Sequence, residues 1–93
     1  MMGRRIADMV SGSLEGVQPG DYWKNVDTGT FYAACPVPDP DGGVILASLC
    51  KHSIVEHEDG TISVQPSIRV TGGPGGTKEL YHGFLENGSW RNV

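Results

Sequence analysis

The sequence predicts a mainly β domain, and three observations indicate this fold class. Fourteen glycines and six prolines fall between short apolar runs, where they punctuate the chain as turns. The apolar runs themselves are short, which favours many short strands over a few long helices. Asp59-Gly60 and Asn87-Gly88 are dipeptides typical of tight β-hairpins. We therefore expect a small antiparallel sheet, a sandwich or a partly open barrel built from hairpins.

The chain has 93 residues, which is enough for one domain, and we expect a single domain over residues 1–93. Residues 19–93 form its predicted hairpin core. Residues 1–18 are harder to interpret, because an apolar stripe fits a short N-terminal helix while two glycines oppose one, so helix and strand both stay open. The stripe consists of Ile6, Met9, Val10 and Leu14.

The sequence of residues 21–50 predicts a hairpin, then a loop, then a strand. Strands Asp21–Val26 and Thr30–Cys35 flank a three-residue loop in which Gly29 supplies a positive φ. Residues 36–43 (PVPDPDGG) predict a rigid, exposed loop without ladder pairing, because three prolines and two glycines disfavour a regular strand. The nearly continuous apolar run Val44–Cys50 predicts a strand covered on both faces.

The segment Ser53–Val70 predicts a hairpin with a two-residue turn at Asp59-Gly60. In that register Val55 faces Val64 and His57 faces Ile62, which places all four on one apolar face and the acidic side chains on the other. The same alternation continues past Pro66, so we expect one long strand, Thr61–Val70, in which the missing N–H of the proline costs the hairpin no hydrogen bond.

A flexible loop is predicted at Gly72–Gly76 (GGPGG), and a second hairpin follows it. Its strands, Glu79–Glu86 and Ser89–Val93, flank the Asn87-Gly88 turn and place Leu85 opposite Trp90. Both faces of this hairpin are apolar, so either the strand is covered twice or one face contacts another chain. Tyr81, Leu85 and Trp90 share one face, and Leu80, His82 and Phe84 share the other.

Charge and hydropathy argue against nucleic acid and membrane as partners. The formal net charge is −4, which disfavours nucleic-acid binding. No stretch approaches the roughly 20 apolar residues that span a bilayer, and the first ten residues lack the apolar segment of a signal peptide. We expect no membrane contact and a cytoplasmic setting, in which the thiols of Cys35 and Cys50 stay unpaired.

Candidate metal ligands are few, and their spacing matches no known zinc pattern. We therefore expect no metal and no cofactor, and the weak candidates are Cys35, Cys50, His52, His57 and His82. The pair Cys50-x-His52 lacks a readable oxyanion site and orienting group, so the sequence predicts no catalytic residue and no enzyme.

Two histidines have both a structural and a functional interpretation. His57 next to Glu58 or Asp59 fits a general base, but a partly buried, hydrogen-bonded structural histidine is favoured. Trp90 is a candidate to cover His82 beside Gly83, and the alternative is a small pocket lined by His82, Phe84 and Trp90. A structural role is favoured there as well.

Three segments of residues 19–93 carry a resemblance to a known family. They are residues 19–23 (PGDYW), residues 57–68 (HEDGTISVQPSI) and residues 81–90 (YHGFLENGSW). Together they resemble a family of small proteins of unknown function encoded by bacteriophages of actinobacteria. The resemblance implies a phage origin and action in the host cytoplasm, and it supplies no activity.

The leading functional hypothesis is an accessory protein that binds a host or phage protein without catalysis. Aromatic and arginine side chains dominate interface energetics, so the predicted contact residues are Tyr81, Phe84, Leu85, Trp90 and Arg91, with Tyr22 and Trp23 secondary. One alternative is a self-assembling structural or minor virion component that uses the same surface between identical copies. Another is a small metal- or ligand-binding domain. The partner and the oligomeric state stay open.

Overall fold

The computed structural model describes residues 1–9, 14–40 and 42–93, and these residues form a mainly β fold, as predicted. A single-turn 3-10 helix at Pro74–Gly76 interrupts the strands within the predicted glycine-rich loop. The strands are β1 Arg4–Arg5, β2 Asp21–Lys24, β3 Phe31–Pro38, β4 Val44–Ser48, β5 Ser53–Glu56, β6 Ile62–Gln65, β7 Ile68–Gly72, β8 Lys78–Glu86 and β9 Ser89–Asn92.

The strands are arranged in three small sheets. The first has the order β1-β2-β3-β4, with β1 parallel to β2 and the other pairs antiparallel. The second is the hairpin β5-β6, and the third has the order β7-β8-β9. Within the described ranges no sheet closes into a barrel. In the same ranges, no helix has the length and apolar character needed to cross a membrane.

One buried cluster draws side chains from all three sheets, which is why they pack as a unit. Tyr22 and Ala33 come from the first sheet, Ile62 from the second, and Ile68 and Leu85 from the third. All five are at most 1% exposed. Burying apolar surface in this shared cluster is the main favourable contribution to folding.

The N-terminal segment covers the opposite face of the first sheet, and it does so without a helix in its described part. Ile6 and Met9 pack with Val17 against a second cluster that contains Trp23 and Ala34. Strand β1 and the Met9–Asn25 bridge hold this segment parallel to β2. Val10, which belongs to the predicted helical stripe, lies outside the described residues.

The first predicted hairpin forms, and Gly29 has the predicted positive φ, at +74°, but the register is wrong by one residue. The Asn25 N–H donates to the Thr30 carbonyl at 2.8 Å, so Val26 belongs to a four-residue loop. Trp23 therefore lies opposite Tyr32 and not opposite Ala33.

The last predicted hairpin is confirmed. At this hairpin Asn87 has a φ of +49° and Gly88 of +75°, as a type I′ turn requires. Leu85 pairs with Trp90 in the predicted register.

The predicted register of the hairpin β5-β6 is wrong by one residue. Val55 pairs with Ser63, and Val64 pairs instead with Ile54. The turn is a three-residue loop closed by the hydrogen bond from the His57 N–H to the Thr61 carbonyl, at 2.8 Å. In consequence Val55 is 57% exposed, whereas Val64 is buried.

The side chain of Asp59 explains why this turn is longer than predicted. Its Oδ1 accepts hydrogen bonds from the Thr61 N–H at 3.0 Å and from the Thr61 hydroxyl at 2.6 Å. These bonds fix a local Asx-type turn, in which Gly60 has a positive φ and Asp59 does not. A type I′ turn would need both φ angles to be positive.

The predicted single strand Thr61–Val70 is divided into β6 and β7. The break lies at Pro66 and Ser67, where the Gln65–Pro66 peptide bond is cis and the chain passes from the second sheet to the third. A proline has no N–H to donate to a ladder. The alternating apolar pattern continues across the break because Val64 and Ile68 both face the same core.

The predictions for residues 36–50 also need correction. Strand β3 runs on to Pro38, which pairs with Val44 across a register shift, so the predicted loop is confined to the residues that follow Pro38. The strand that begins at Val44 is not covered on both faces. Ile45 and Ala47 are buried in the core, but Leu46 points outward and is 40% exposed.

A β-bulge in β8 alters which residues share its outer face. Val70 pairs with Tyr81 and Thr71 pairs with Glu79, so Leu80 is an extra residue without a partner on β7. Leu80 packs against the core, contrary to its predicted place beside His82 and Phe84. The bulge reverses the alternation and brings Glu79 to the outer face, where it contacts Arg69.

We predict that Gly88→Ala destabilises the protein more than Gly29→Ala. Both glycines have nearly the same positive φ, so alanine costs about 1–2 kcal/mol in backbone strain at either site. A Cβ at Gly29 meets nothing within 4 Å, whereas one at Gly88 lies 2.8 Å from Thr61 Cγ2 and from the Tyr22 hydroxyl. This overlap adds at least about 1 kcal/mol. Urea unfolding of the two variants measures the difference, and equal losses would contradict the packing.

Candidate functional site

The structure corrects the predicted contact surface, because five of its seven residues are in the core. Their side chains fill the two apolar clusters and are not available to a partner in this fold. The same burial excludes the predicted pocket lined by His82, Phe84 and Trp90, since Trp90 lies on the opposite face of the hairpin. The five are Tyr22 (1% exposed), Trp23 (4%), Tyr81 (5%), Leu85 (0%) and Trp90 (3%).

Phe84 and Arg91 remain at the surface, on the outer face of the third sheet. They are paired residues of β8 and β9. The Arg91 guanidinium lies 4.5 Å from the centre of the Phe84 ring, a cation–π distance. Its Nη2 atom also donates to Glu86 Oε1 at 3.0 Å. An aromatic ring and a guanidinium are therefore held side by side on an open strand pair.

The two cysteines are free and lie in different environments. Cys35 is buried in the main core and Cys50 is exposed. Burial raises the pKa of the Cys35 thiol to about 12, since the thiolate would lose its solvation. Among the described residues, no three His, Cys, Asp or Glu side chains converge into a group that would hold a metal ion.

His57 is a hydrogen-bonded, partly buried histidine, as predicted, but it lies on the other face of its hairpin. Its Nε2 is 2.8 Å from the Ser63 hydroxyl, on the face that carries the exposed Val55. Ser63 also accepts a hydrogen bond from the backbone N–H of Asn87, at 2.9 Å. The hydrogen bonds of Ser63 to His57 and Asn87 link the hairpin β5-β6 to the turn of the last hairpin. The role of His57 is therefore structural.

His52 and His82, which are distant in sequence, both reach Ser67. His82 Nε2 lies 2.9 Å from the Ser67 hydroxyl, and His52 Nε2 lies 3.2 Å from the Ser67 carbonyl oxygen. Ser67 occupies the corner between β6 and β7, directly after the cis peptide bond to Pro66. We call Ser67, His52, His82 and Glu79 the Ser67 cluster.

His52 fixes the backbone of Ser67. A carbonyl oxygen only accepts hydrogen bonds, so His52 Nε2 carries a proton in this contact. The other ring nitrogen, Nδ1, is buried and has no hydrogen-bond partner. His52 therefore anchors the corner through its Nε2 atom.

His82 differs from His52 in what its two ring nitrogens contact. Its Nδ1 faces the carboxylate of Glu79, with Nδ1 and Oε1 3.6 Å apart. A carboxylate attracts a proton but has none to donate, so the neutral ring favours the Nδ1–H tautomer. Its Nε2 then carries the lone pair and accepts the hydrogen bond from the Ser67 hydroxyl.

Ser67 also lines an open groove of about 630 Å³ between the second sheet and the outer face of β8. Phe84 and Pro66 supply apolar surface to the groove, and polar side chains border it. Its lining residues are Ser53, Gln65, Pro66, Ser67, Phe84 and Glu86. The hydroxyl that is hydrogen-bonded to His82 therefore belongs to a residue that solvent and ligands can approach.

The sequence contained weak signals for this cluster. The sequence marks His82 as a weak candidate for metal binding, whereas Ser67 falls inside the predicted continuous strand Thr61–Val70. Ser67 and His82 are 15 residues apart, and their contact depends on the break at Pro66 and on the pairing of β7 with β8. Glu79 could not be assigned to the site, since regular alternation would place it on the face opposite His82.

Comparison with protein-family models, with curated proteins and with solved structures finds no match to this chain.

We predict that one of the two thiols reacts rapidly in the folded protein. A disulfide reagent such as DTNB at pH 8 is expected to modify Cys50, because it is exposed, and to spare Cys35, because burial holds its thiol protonated. Absorbance should report one fast thiol per chain, and two after unfolding in guanidinium. Cys50→Ser should remove the fast phase, and two fast thiols in the folded protein would contradict the burial of Cys35.

Alkaline pH is expected to destabilise the fold through Cys35. Below its ordinary pKa of 9.0 the thiol is protonated in both the folded and the unfolded chain. Between pH 9 and about 12 the unfolded thiol ionises while the folded one keeps its proton. The free energy of unfolding should fall in that window by up to about 1.4 kcal/mol per pH unit. Denaturant titrations should show a shallower fall for Cys35→Ala, and equal slopes would contradict the prediction.

Proposed function

We propose that this chain is a phage-encoded accessory protein that acts in the host cytoplasm by binding a host or phage protein. The observation that carries the proposal is the outward-facing pair Phe84 and Arg91 beside an open groove. Aromatic and arginine side chains are the residue types that contribute most to protein interfaces. We call Phe84, Arg91 and the groove the outer surface of the third sheet.

The opposite face of the strands that carry this surface packs against the core. Leu85 and Trp90 are paired residues of β8 and β9, and both are buried in the core. Their neighbours Phe84 and Arg91 point to the other side, because side chains alternate across a strand. The core therefore holds the outer pair in place before a partner arrives, which lowers the entropy lost on binding.

The groove is suited to an extended segment of a partner protein. Phe84 and Pro66 offer an apolar contact for one side chain, and the hydroxyl of Ser53 and the amide of Gln65 offer hydrogen bonds to a backbone. Arg91 already balances Glu86, so this surface presents little unpaired charge to repel a partner. The resemblance of residues 19–93 to actinobacteriophage proteins supports a partner from the infected cell.

We predict that Phe84→Ala lowers affinity for the partner at least about tenfold, because it removes the aromatic contact at the centre of the surface. The partner is first isolated from an actinobacterial host lysate on immobilised wild-type protein and identified by mass spectrometry. Its purified form is then titrated by calorimetry against wild type and Phe84→Ala. Trp90→Ala is unsuitable, since Trp90 is a core residue.

Leu46→Ala is the matched control, because Leu46 is also an apolar strand residue at the surface but belongs to β4 in the first sheet. It should bind as tightly as wild type. Amide chemical shifts should change around Phe84 and Arg91 when the partner is added. Equal affinity of wild type and Phe84→Ala, or shift changes confined to another surface, would overturn the proposal. Light scattering that shows Phe84-dependent self-association would favour assembly of identical copies instead.

A further inference from the structure

We propose that Ser67 is a nucleophile for carboxylic esters, activated by His82. This inference goes beyond protein binding and against the sequence-based expectation of a non-enzyme, and it does not depend on a protein partner. It rests on a hydroxyl, an imidazole and a carboxylate in series, at the edge of an open groove. The hydroxyl–imidazole distance is 2.9 Å and the imidazole–carboxylate distance is 3.6 Å.

A proton on His82 Nδ1 gives the Ser67–His82 hydrogen bond the direction that nucleophilic catalysis needs. Glu79 favours the proton on His82 Nδ1, which leaves the Nε2 lone pair directed at the Ser67 hydroxyl. An imidazole in this state removes the hydroxyl proton as the oxygen attacks, and the carboxylate stabilises the imidazolium that forms. His82 therefore acts as the general base and Glu79 as a positioning residue.

The bulge in β8 is what makes this arrangement possible. His82 and Glu79 are three residues apart, and in a regular strand they would lie on opposite faces. The extra residue Leu80 brings Glu79 round to the face of His82. Bulges that redirect a side chain are common next to active sites. Arg69 donates to the same Glu79 oxygen at 2.9 Å, which steadies the carboxylate.

The backbone of Ser67 is also fixed, because His52 donates a hydrogen bond to its carbonyl oxygen at 3.2 Å. The hydroxyl and the imidazole are therefore supported by different strands and meet at a fixed corner. A matching Ser–His pair, Ser63 and His57, exists on the second sheet but does not line the groove, so it provides an internal comparison.

The groove indicates the class of substrate. Phe84 lies two residues from His82 on the same face of β8, and with Pro66 it forms the apolar lining next to Ser67. An ester with a short apolar acyl chain can rest on this surface with its carbonyl carbon near the Ser67 hydroxyl.

The reaction is a two-step hydrolysis. Ser67 Oγ bonds to the ester carbonyl carbon while its proton passes to His82 Nε2. The bond from that carbon to the alcohol oxygen then breaks, and His82 protonates the leaving alkoxide. In the second step His82 takes a proton from water, the resulting hydroxide adds to the acyl carbon, and Ser67 Oγ leaves with the proton. One ester and one water give one acid and one alcohol.

The test uses a fluorophosphonate, which forms a phosphorus–oxygen bond to an activated serine with loss of fluoride. Intact-mass and peptide mass spectrometry of the wild-type chain should find one adduct, on Ser67. Ser67→Ala should carry none, and His82→Ala should label about 10²- to 10⁴-fold more slowly, as expected for loss of a general base. Circular dichroism confirms that each variant is folded. No adduct on Ser67 of the wild-type protein would overturn the proposal, whatever the variants do.

Ser63→Ala and His57→Ala are the matched controls, because each removes one member of the other hydrogen-bonded Ser–His pair. Both should label at the wild-type rate, and an adduct on Ser63 at a similar rate would overturn the assignment to the groove. Ester turnover is then followed with p-nitrophenyl butyrate in a Cys50→Ser background, which removes the exposed thiol. Release of more than one nitrophenolate per chain, lost in Ser67→Ala, is expected, and release equal in both would contradict hydrolysis.

The role of Glu79 has its own readout. Glu79→Gln should raise the fraction of His82 in the Nε2–H tautomer, measured from imidazole ¹⁵N chemical shifts, and should slow labelling of Ser67 in parallel. Unchanged shifts and an unchanged labelling rate would show that Glu79 does not position the ring. Labelling of Ser67 is measured without any partner protein, so failure of partner binding and failure of nucleophilicity are separate outcomes.

Discussion

The indole of Trp90 is the contact on which the rest of the structure depends. Its Nε1 donates to the Gly20 carbonyl at 3.0 Å, and its ring packs edge-to-face with the ring of Tyr81, with 5.8 Å between centroids. Its backbone N–H donates to the carbonyl of Met1 at 2.7 Å, and its carbonyl accepts from the Met1 ammonium. The N-terminus, the turn before β2 and the last hairpin therefore meet at one buried side chain.

This arrangement explains why the outer face of β8 is available for function. One face of the hairpin β8-β9 packs in the core. Because side chains alternate along a strand, the residues between the buried ones lie on the outer face, beside the second sheet. Phe84 and His82 are both on that surface, one beside Arg91 and the other beside Ser67. Strand β8 thus contributes to two distinct features, an aromatic–guanidinium pair with Arg91 of β9 and a histidine–hydroxyl pair with Ser67.

The two X-Gly hairpins show how far turn chemistry can be predicted from sequence. Asn87-Gly88 adopts the predicted type I′ turn because asparagine tolerates a positive φ and its side chain has no stronger local bond. Asp59-Gly60 does not, because the carboxylate accepts two hydrogen bonds from Thr61 and stabilises a longer loop. The longer loop shifts the register by one residue. Because side chains alternate, Val55 then points to solvent and not to the predicted core face.

The sequence by itself determined the fold class, the positions of most strands and the register of the last hairpin, because these depend on local apolar alternation and turn residues. The sequence predicted that both faces of β8 are apolar, unlike those of an ordinary surface strand. It did not predict which face is buried. Tertiary structure decided that Tyr81, Leu85 and Trp90 face the core, that the chain changes sheet at Pro66, and that Ser67 meets His82. These outcomes depend on packing between sheets and on one bulge, and residues far apart in sequence carry no local signal of either.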